Sequence, residues 1–205
     1  MTVLHEMFAG DAYRLLITTV SGKIYVYNES PQGLQLVDKT LSGQSPFFTN
    51  FLNGTIIASE ADSPFYLSFD LEIDDCNLKD SDSNPIIVSS SAVYKGRVWF
   101  SSGSTIYYSA LGTYNDFTTE EDAGYISDFH TDTAVIAAMK PYKDYLAVYK
   151  RNAVYLLSGS NPDNLAITLF ANKGCISPNT IVNVENCKYF LRNGIFAIEQ
   201  VGALN

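Results

Sequence analysis

Three side chains with acid/base or metal-binding chemistry, Asp128, His130 and Asp132, occupy alternate positions in one short stretch. Because alternate residues of an extended chain point to the same side, these groups could share one face and hold a metal ion or move a proton. The chain has only 2 histidines, and the sequence places no further ligand beside these three residues. A surface loop is therefore the favoured interpretation, and a metal or catalytic site is the alternative.

The densest acidic stretch, residues 70–82, leads into a segment from Asp80 to Asn84 that resembles the opening of a calcium-binding loop. The sixth loop position would be Pro85, where that loop needs glycine for a sharp turn. The twelfth would be Ser91, where it needs a bidentate glutamate. This stretch is interpreted as a solvated linker.

His5 and Glu6 lie near the start of the chain, and in a radial β-fold they could face a central channel. Glycoside hydrolysis in such a channel needs two carboxyl groups at a defined separation, and the sequence marks no such pair. Motifs for a serine nucleophile, a phosphate loop, a dinucleotide site or an HExxH zinc site are also absent. We therefore expect no catalytic residue, no cofactor and no metal.

The three cysteines, Cys76, Cys175 and Cys187, show neither CxxC spacing nor a Cys/His pattern. An odd number without such spacing argues against a disulfide framework and against a zinc site. Free buried thiols are predicted.

Composition excludes several classes of protein. Apolar residues make up 46% of the 205 residues and charged residues 17%, which is too apolar for a disordered chain. The net charge of -9, from 13 basic and 22 acidic side chains, argues against a surface that wraps nucleic acid. We expect no export signal and no membrane anchor, because the sequence lacks an apolar run of about 18 residues.

The elements that must position these residues repeat along the chain. Turn pairs followed by an apolar run recur roughly every 42 to 48 residues, within the range of propeller blades. The pairs are Gly10–Asp11, Asn53–Gly54, Lys95–Gly96, Lys143–Asp144 and Asn186–Cys187. A second series of turns follows each pair after about one strand length, so each unit contains a hairpin. A strand precedes the hairpin, as at residues 85–94 and 134–140, and in some units a fourth follows.

The repeat predicts an all-β fold, a β-propeller-like array of about five four-stranded antiparallel meanders. Residues 1–205 would form one domain, with blades at about 1–42, 43–84, 85–132, 133–174 and 175–205. The last unit ends after its third strand, so we expect either a longer parent chain or another subunit over the open end. Strands such as residues 97–101 do not alternate between apolar and polar, which favours blades covered on both faces. A β-sandwich or a barrel is the alternative fold.

Residues 92–198 contain a pattern of strands and turns with one distinctive loop. Its segments are GRVWFS at 96–101, YSALG at 108–112, NDFTT at 115–119 and DAG at 122–124. This pattern resembles the packaged-DNA stabilisation and tail tubular (nozzle) proteins of tailed phages. Residues 136–157, the KGC segment at 173–175 and residues 183–198 are similar to the same group's next blade and a half.

The resemblance implies a non-enzymatic structural component of a phage tail or head–tail connection. Such a protein assembles as a homo-oligomeric ring with other virion proteins around the DNA channel and makes only transient contact with DNA. It would be made in the host cytoplasm and located in the virion tail. The family carries no catalytic residues, so none is transferred. An acidic lumen would let DNA slide without sticking, because it repels phosphate.

Two other functions stay open at this point. A carbohydrate- or protein-binding propeller would need an aromatic-lined pocket at one end of the ring. Its candidate binding surface is Tyr107, Tyr108, Tyr114, Asn115, Asp116 and Phe117. Core packing is the commoner role of such aromatic residues. A glycosidase-like propeller enzyme ranks after both, because it needs channel-facing carboxylates.

Overall fold

The computed structural model describes residues 2–29, 32–43, 45–129, 132–184, 187–191 and 194–198. Within these ranges the regular elements are β-strands, apart from two short 3-10 turns at Pro162–Asn164 and Pro178–Thr180. The prediction of an all-β fold is confirmed. His130, Asn186 and residues 202–205, which entered the sequence predictions, lie outside the described residues.

Five antiparallel sheets follow one another along the chain, each a simple meander. The first sheet contains β1 (Val3–Ala9), β2 (Ala12–Thr18), β3 (Lys23–Glu29) and β4 (Gln32–Thr40). The second contains β5 (Phe47–Phe51), β6 (Gly54–Ala58), β7 (Phe65–Ser68) and β8 (Ile73–Asp75). The third contains β9 (Ser90–Tyr94), β10 (Arg97–Ser102), β11 (Thr105–Tyr108) and β12 (Gly124–Ile126).

The fourth and fifth sheets continue the same order of strands. The fourth contains β13 (Ile136–Tyr142), β14 (Tyr145–Lys150), β15 (Val154–Ser158) and β16 (Ala166–Ala171). The fifth contains β17 (Val182–Val184), β18 (Cys187–Leu191) and β19 (Ile195–Ile198) within the described residues. Four four-stranded meanders and a three-stranded one match the predicted array of about five units.

Tight turns join the first two strands of each of the first four sheets. The turns at Gly10–Asp11, Lys95–Gly96 and Lys143–Asp144 lie where the sequence predicts them. In the second sheet the turn is one residue earlier than predicted, at Leu52 and Asn53, and Leu52 adopts a positive φ of 50°. A strand predicted over residues 85–94 is shorter, because Pro85 forms only an isolated bridge with Lys79 and β9 begins at Ser90.

The first strands of successive sheets lie next to one another. Strand β1 packs against β5 and β6, β5 against β9, and β9 against β13. Each later strand of a meander lies further from these contacts, as in the blades of a propeller. The sheets therefore form a radial array and not the two facing sheets of a β-sandwich.

Apolar layers fill the spaces between neighbouring sheets. Met7, Leu16 and Val26 of the first sheet meet Ile57 and Phe65 of the second. Similar clusters lie between the second and third sheets, the third and fourth, and the fourth and fifth. Because such layers cover both of their faces, strands β6, β10 and β14 are buried at nearly every position.

Two of the three cysteines have described side chains. Cys76 and Cys175 are both buried and free, which confirms the prediction for these two residues. The side chain of Cys187 lies outside the described set. In the part of the chain that is described, no helix has the length and apolar character to cross a membrane.

Candidate interaction site

The six residues of the predicted binding surface lie on two different sides of the third sheet. Tyr108 is only 7% exposed and its ring lies 5.1 Å from that of Trp99, in the layer shared with the fourth sheet. Tyr107, Tyr114 and Phe117 pack instead on the layer shared with the second sheet. The structure therefore does not bring these aromatic rings together in one pocket.

The loop that carries Tyr114 fastens the third sheet to the second. The Tyr114 hydroxyl donates to Asp74 Oδ2 at 2.9 Å, and Asn115 Nδ2 donates to the same oxygen at 3.2 Å. The Tyr114 ring stacks on Tyr66 at 4.0 Å, and burial together with the Asp74 carboxylate raises the pKa of Tyr114 to about 12. Asp116 accepts hydrogen bonds from Thr118 and Thr119 and closes the turn. The Tyr114 hydroxyl, the Asn115 amide and the Asp116 carboxylate are therefore engaged within the chain.

Arg97 is a structural residue that sequence reasoning did not single out. Its side chain is almost fully buried, and it donates to the carbonyl oxygens of Ser160, Ser109 and Asp122. It also donates to Asp122 Oδ1 at 2.5 Å. The Leu111 N–H, together with the Arg97 side chain, holds the pKa of Asp122 below its usual value. The five-donor guanidinium thus joins one long loop to the neighbouring sheet.

Asp132, the last residue of the alternating pattern, is a counter-ion within the fold. Its Oδ1 lies 3.7 Å from Nζ of Lys150, whose side chain is 0% exposed. The Tyr155 hydroxyl donates to Asp132 Oδ2 at 2.9 Å, and Lys150 Nζ lies 4.2 Å from the centre of the Phe129 ring. Since His130 lies outside the described residues, the predicted alternative of a metal or catalytic site stays a prediction. Within the described ranges no group of three or more His, Cys, Asp and Glu could hold a metal ion.

The segment that resembles a calcium loop folds as a short hairpin. Asp80 Oδ1 accepts hydrogen bonds from the N–H groups of Asp82 and Asn84, and Lys79 bridges to Pro85. These hydrogen bonds lower the pKa of Asp80, and the bond from the Asn84 N–H has the largest effect. The carboxylate closes a turn, as expected of a solvated linker.

His5 and Glu6 lie on opposite faces of β1. His5 Nε2 is 2.9 Å from Asn50 Oδ1 and 3.1 Å from Thr55 Oγ1, and its ring stacks on Phe48. Burial lowers the pKa of His5 despite the Asn50 contact. Glu6 is exposed on the other face, so the two side chains do not converge on one reacting group.

The cavities bordered by the described residues include a small one near the axis and a larger cleft at the rim. The axial cavity, of about 90 Å³, lies among β5, β9 and β13, where Thr49 Oγ1 and Ser91 Oγ are 2.5 Å apart. The rim cleft, of about 390 Å³, lies between the first two sheets and has both cations and carboxylates on its walls. Lys39, Lys79, Asp62 and Asp75 carry its charges.

The outer face of the first sheet, on the side away from the second sheet, carries several exposed large apolar side chains. Cross-strand rows of side chains cover it: Leu4, Ile17, Tyr25 and Leu36 in one row, and Glu6, Leu15, Tyr27 and Leu34 in the next. Phe8 and Tyr13 form a third row. Leu4, Leu34 and Leu36 are 62%, 61% and 52% exposed. We call this surface the first-sheet outer face.

The sequence contained a signal for this face. Every residue in the segments 15–17 and 24–27 is apolar or aromatic, with no alternation, which predicts strands that are covered on both sides. In the structure the second sheet covers one side, through Leu16, Ile24 and Val26. The other side is the one surface of these strands that is exposed.

Comparison with known proteins supports the fold. No family model and no curated protein matches the chain. Among solved structures, the extracellular domain of a hybrid two-component system from B. thetaiotaomicron matches with a TM-score of 0.62 and 14% identity, over 96% of this chain and 27% of that one. A nidogen/laminin complex matches with a TM-score of 0.58 and 10% identity, over 91% and 71%. PorZ, a surface component of the type-IX secretion system of Porphyromonas gingivalis, matches with a TM-score of 0.58 and 12% identity, over 91% and 26%.

These neighbours share the fold alone, because each is far below 25% identical to this chain. The chain spans 27% of the length of the first of them. They contain β-propeller-type domains, and the five stacked meanders described above have the same architecture. The chain therefore has a β-propeller-like, all-β fold.

Proposed function

We propose that this chain is a non-enzymatic structural component of a phage tail or head–tail connection, of the nozzle or DNA-stabilisation type. It acts through protein–protein assembly around the DNA channel. The observation that carries the assembly role is the first-sheet outer face, where Leu4, Leu34 and Leu36 are all more than half exposed. Large exposed apolar patches mark interaction surfaces on proteins. The phage assignment rests on the sequence resemblance over residues 92–198.

The use of carboxylates within the fold supports a structural role. Asp62 accepts hydrogen bonds from Ser42, Gly43 and Ser59, and so fixes the link between the first two sheets. Asp74, Asp122 and Asp132 hold loops or neutralise buried cations in the same way. These four carboxylates are thus engaged in holding loops and sheets together.

The proposed partners are other virion proteins and further copies of this chain in a ring, with DNA passing through. The net charge of -9 supports transient DNA contact, because like charges repel the phosphate backbone. The proposed location is the virion tail, after synthesis in the host cytoplasm.

Two measurements test this proposal. Mass spectrometry of purified phage particles from the source organism should detect the chain, and its gene should lie beside head and tail genes. DNA binding measured between about 50 and 200 mM salt should be weak throughout. Absence from purified particles, or tight DNA binding with a steep salt dependence, would contradict the proposal.

The rim cleft favours a second candidate, a carbohydrate- or protein-binding propeller. Its volume of about 390 Å³ falls within the range of small-ligand sites, and its charges could orient a polar ligand. A glycan array, followed by titration of the Lys79→Ala variant with any hit, tests this candidate. Binding that Lys79→Ala abolishes would support it, and an array without hits would contradict a carbohydrate ligand.

A further inference from the structure

We propose that the axial cavity binds a small organic acid, whose carboxylate lies beside the Lys140 amine and whose apolar body extends into the mouth of the cavity. The axial cavity has a volume of about 90 Å³ and lies among the first strands of the second, third and fourth sheets. This site goes beyond the proposed assembly function, because it needs neither a partner chain nor the first-sheet outer face.

Lys140 is a cation without a counter-ion at the wall of this cavity. It lies on β13, and no carboxylate among the described residues forms an ion pair with it. Buried cations elsewhere in the fold do lie beside a carboxylate, in the pairs Arg97–Asp122 and Lys150–Asp132. An unpaired ammonium group inside a concave site favours an anionic ligand.

The amine of Lys140 is both accessible and partly desolvated. The residue is exposed on β13, so a ligand can reach it from the cavity. Protein atoms nevertheless displace water from around the side chain, and this desolvation lowers the pKa of Lys140. A bound carboxylate would replace the lost hydration of the ammonium group with a charge-assisted hydrogen bond.

Hydroxyl groups around the amine are placed to orient the carboxylate. Thr49 Oγ1 and Ser91 Oγ lie 2.5 Å apart on neighbouring first strands, β5 and β9. One of them donates to the other, so the accepting hydroxyl keeps a proton that has no acceptor among the described residues. Ser89 and Ser90 also border the cavity, and their hydroxyls bond to Ser101. An oxyanion thus meets an ammonium group and a hydroxyl donor in about the volume of three water molecules.

A wider cleft adjoins the axial cavity and forms its mouth. The two share Ser89 and Pro178 as lining residues, and the mouth has a volume of about 330 Å³. Val135 and Ile176 line the mouth and are 44% and 53% exposed, so they offer apolar walls to a ligand. Burial of an apolar body against these walls would add to the affinity. The volume of the mouth falls within the range of small-ligand sites.

The charges at the mouth leave Lys140 as the uncompensated charge of the site. Glu60 and Arg151 both border the mouth at exposed positions. Because their charges are opposite, they nearly cancel for a ligand that lies between them. With Lys140 included, the site has one excess positive charge, which a single carboxylate neutralises.

An NMR titration of the ¹⁵N-labelled 205-residue chain with sodium hexanoate near neutral pH tests the proposal. We expect a Kd on the order of 1 mM, with shifts concentrated on β9 and β13. Acetate has the same carboxylate without the apolar body, and inorganic phosphate has an oxyanion charge without it. Each should bind about 10-fold more weakly than hexanoate. If acetate or phosphate binds as tightly as hexanoate, the apolar part of the proposal is wrong.

Lys140→Met removes the ammonium group but keeps much of the side-chain volume. It should weaken hexanoate binding about 10- to 100-fold, because a charge-assisted hydrogen bond is lost. Lys143→Met is the matched control, since Lys143 is an exposed lysine in the next turn and borders neither the axial cavity nor its mouth. It should leave the affinity unchanged, and circular dichroism should show that both variants are folded.

Ile176→Ser tests the mouth separately. It should weaken hexanoate binding about 3- to 10-fold and leave acetate binding unchanged, because only hexanoate reaches the apolar wall. Ile195→Ser is the control, since Ile195 is also exposed but borders neither cavity. Absence of hexanoate binding at about 20 mM, or binding that Lys140→Met leaves undiminished, would overturn the proposal.

Discussion

Arg97 is a buried cation whose removal should lower the free energy of unfolding. Its guanidinium is 2% exposed and satisfies the carbonyl oxygens of Ser109 and Ser160 and the carboxylate of Asp122. Arg97→Met keeps much of the side-chain volume but leaves these acceptors without a donor. We expect the free energy of unfolding in urea to fall by about 2 to 3 kcal/mol, with partial compensation because Asp122 reaches solvent.

Arg151→Met is the control for this change. Arg151 is an exposed arginine in the turn between β14 and β15, so its loss should change stability by less than about 0.5 kcal/mol. Equal effects of the two substitutions would show that the buried guanidinium network does not stabilise the fold.

The ion pair of Asp132 and Lys150 should make stability depend on pH in the acid range. Burial alone would raise the pKa of Asp132, but hydrogen bonds from the Ala134 N–H, Tyr155 and Asn152, with the Lys150 charge, lower it below 3.8. A carboxylate with a lowered folded pKa stabilises the fold above its unfolded pKa. That stabilisation is lost as the pH falls through the folded value.

Asp132→Asn should therefore lower stability by about 2 to 4 kcal/mol near neutral pH, where it leaves Lys150 buried without its counter-ion. The difference from the unmodified chain should shrink below pH 3.8. Urea unfolding at several pH values measures this. Asn152→Ala, which removes one 3.3 Å hydrogen bond but keeps the ion pair, should retain the acid-dependent loss. A constant difference at every pH would exclude the ion pair as its cause.

Gly10 and Gly22 both have a positive φ, but only Gly22 is crowded by a neighbouring residue. Replacing each with alanine therefore distinguishes the effect of backbone strain from that of steric crowding. Gly22 has a φ of 79°, and a Cβ there would lie 1.9 Å from the carbonyl oxygen of Leu41. Gly10 has a φ of 58° and open space around it. Gly10→Ala should cost about 1 kcal/mol from strain alone.

Gly22→Ala should cost at least about 2 kcal/mol more than Gly10→Ala, because the end of β4 must move. The contact is central to the hairpin, since Leu41 N–H donates to the Gly22 carbonyl oxygen at 2.9 Å. Thermal and urea unfolding of the two variants give the comparison. If both variants lose similar amounts of stability, the backbone at Leu41 can move away from the new Cβ without destabilising the fold.

At the level of elements, turn spacing predicted the meanders because a turn needs particular residues and these are visible in the sequence. Gly10, Gly96 and the apolar runs beside them suffice to place hairpins. It was harder to predict which side of a sheet each side chain packs on. Tyr107 and Tyr108 are adjacent and aromatic, yet they pack on opposite sides of the third sheet, which follows from strand alternation once β11 is fixed.

The first-sheet outer face and the buried cations could not be predicted from sequence for different reasons. A strand in which both odd- and even-numbered residues are apolar is expected to be buried on both sides. The sequence does not show that one side of this sheet is exposed. Arg97 and Lys150 are separated by 25 and 18 residues from the acids that they meet, and no local pattern marks such pairs. Long-range pairing depends on the stacking of sheets, which the repeat alone does not specify.

At the scale of the whole molecule, the strands of the first sheet are less buried than those of the third and fourth sheets. Strands β2, β10 and β14 each occupy the second position in their sheet and are hydrogen-bonded on both edges. Strands β10 and β14 are buried at nearly every residue, whereas β2 alternates because only one of its faces is covered. In arrays whose units contact mainly their neighbours, such differences appear as differences in local stability.

Amide hydrogen exchange should therefore be slower in β10 and β14 than in β2, by a factor on the order of 10 to 100. The measurement is made at low protein concentration, so that association with another chain does not cover the first sheet. Because ladder position is the same in all three strands, a difference in exchange reports the missing cover and not the number of hydrogen bonds. Equal exchange in the three strands would mean that all five sheets open as one cooperative unit. In that case the exposed face would carry no local cost, and its apolar residues would be a weaker driving force for assembly than proposed here.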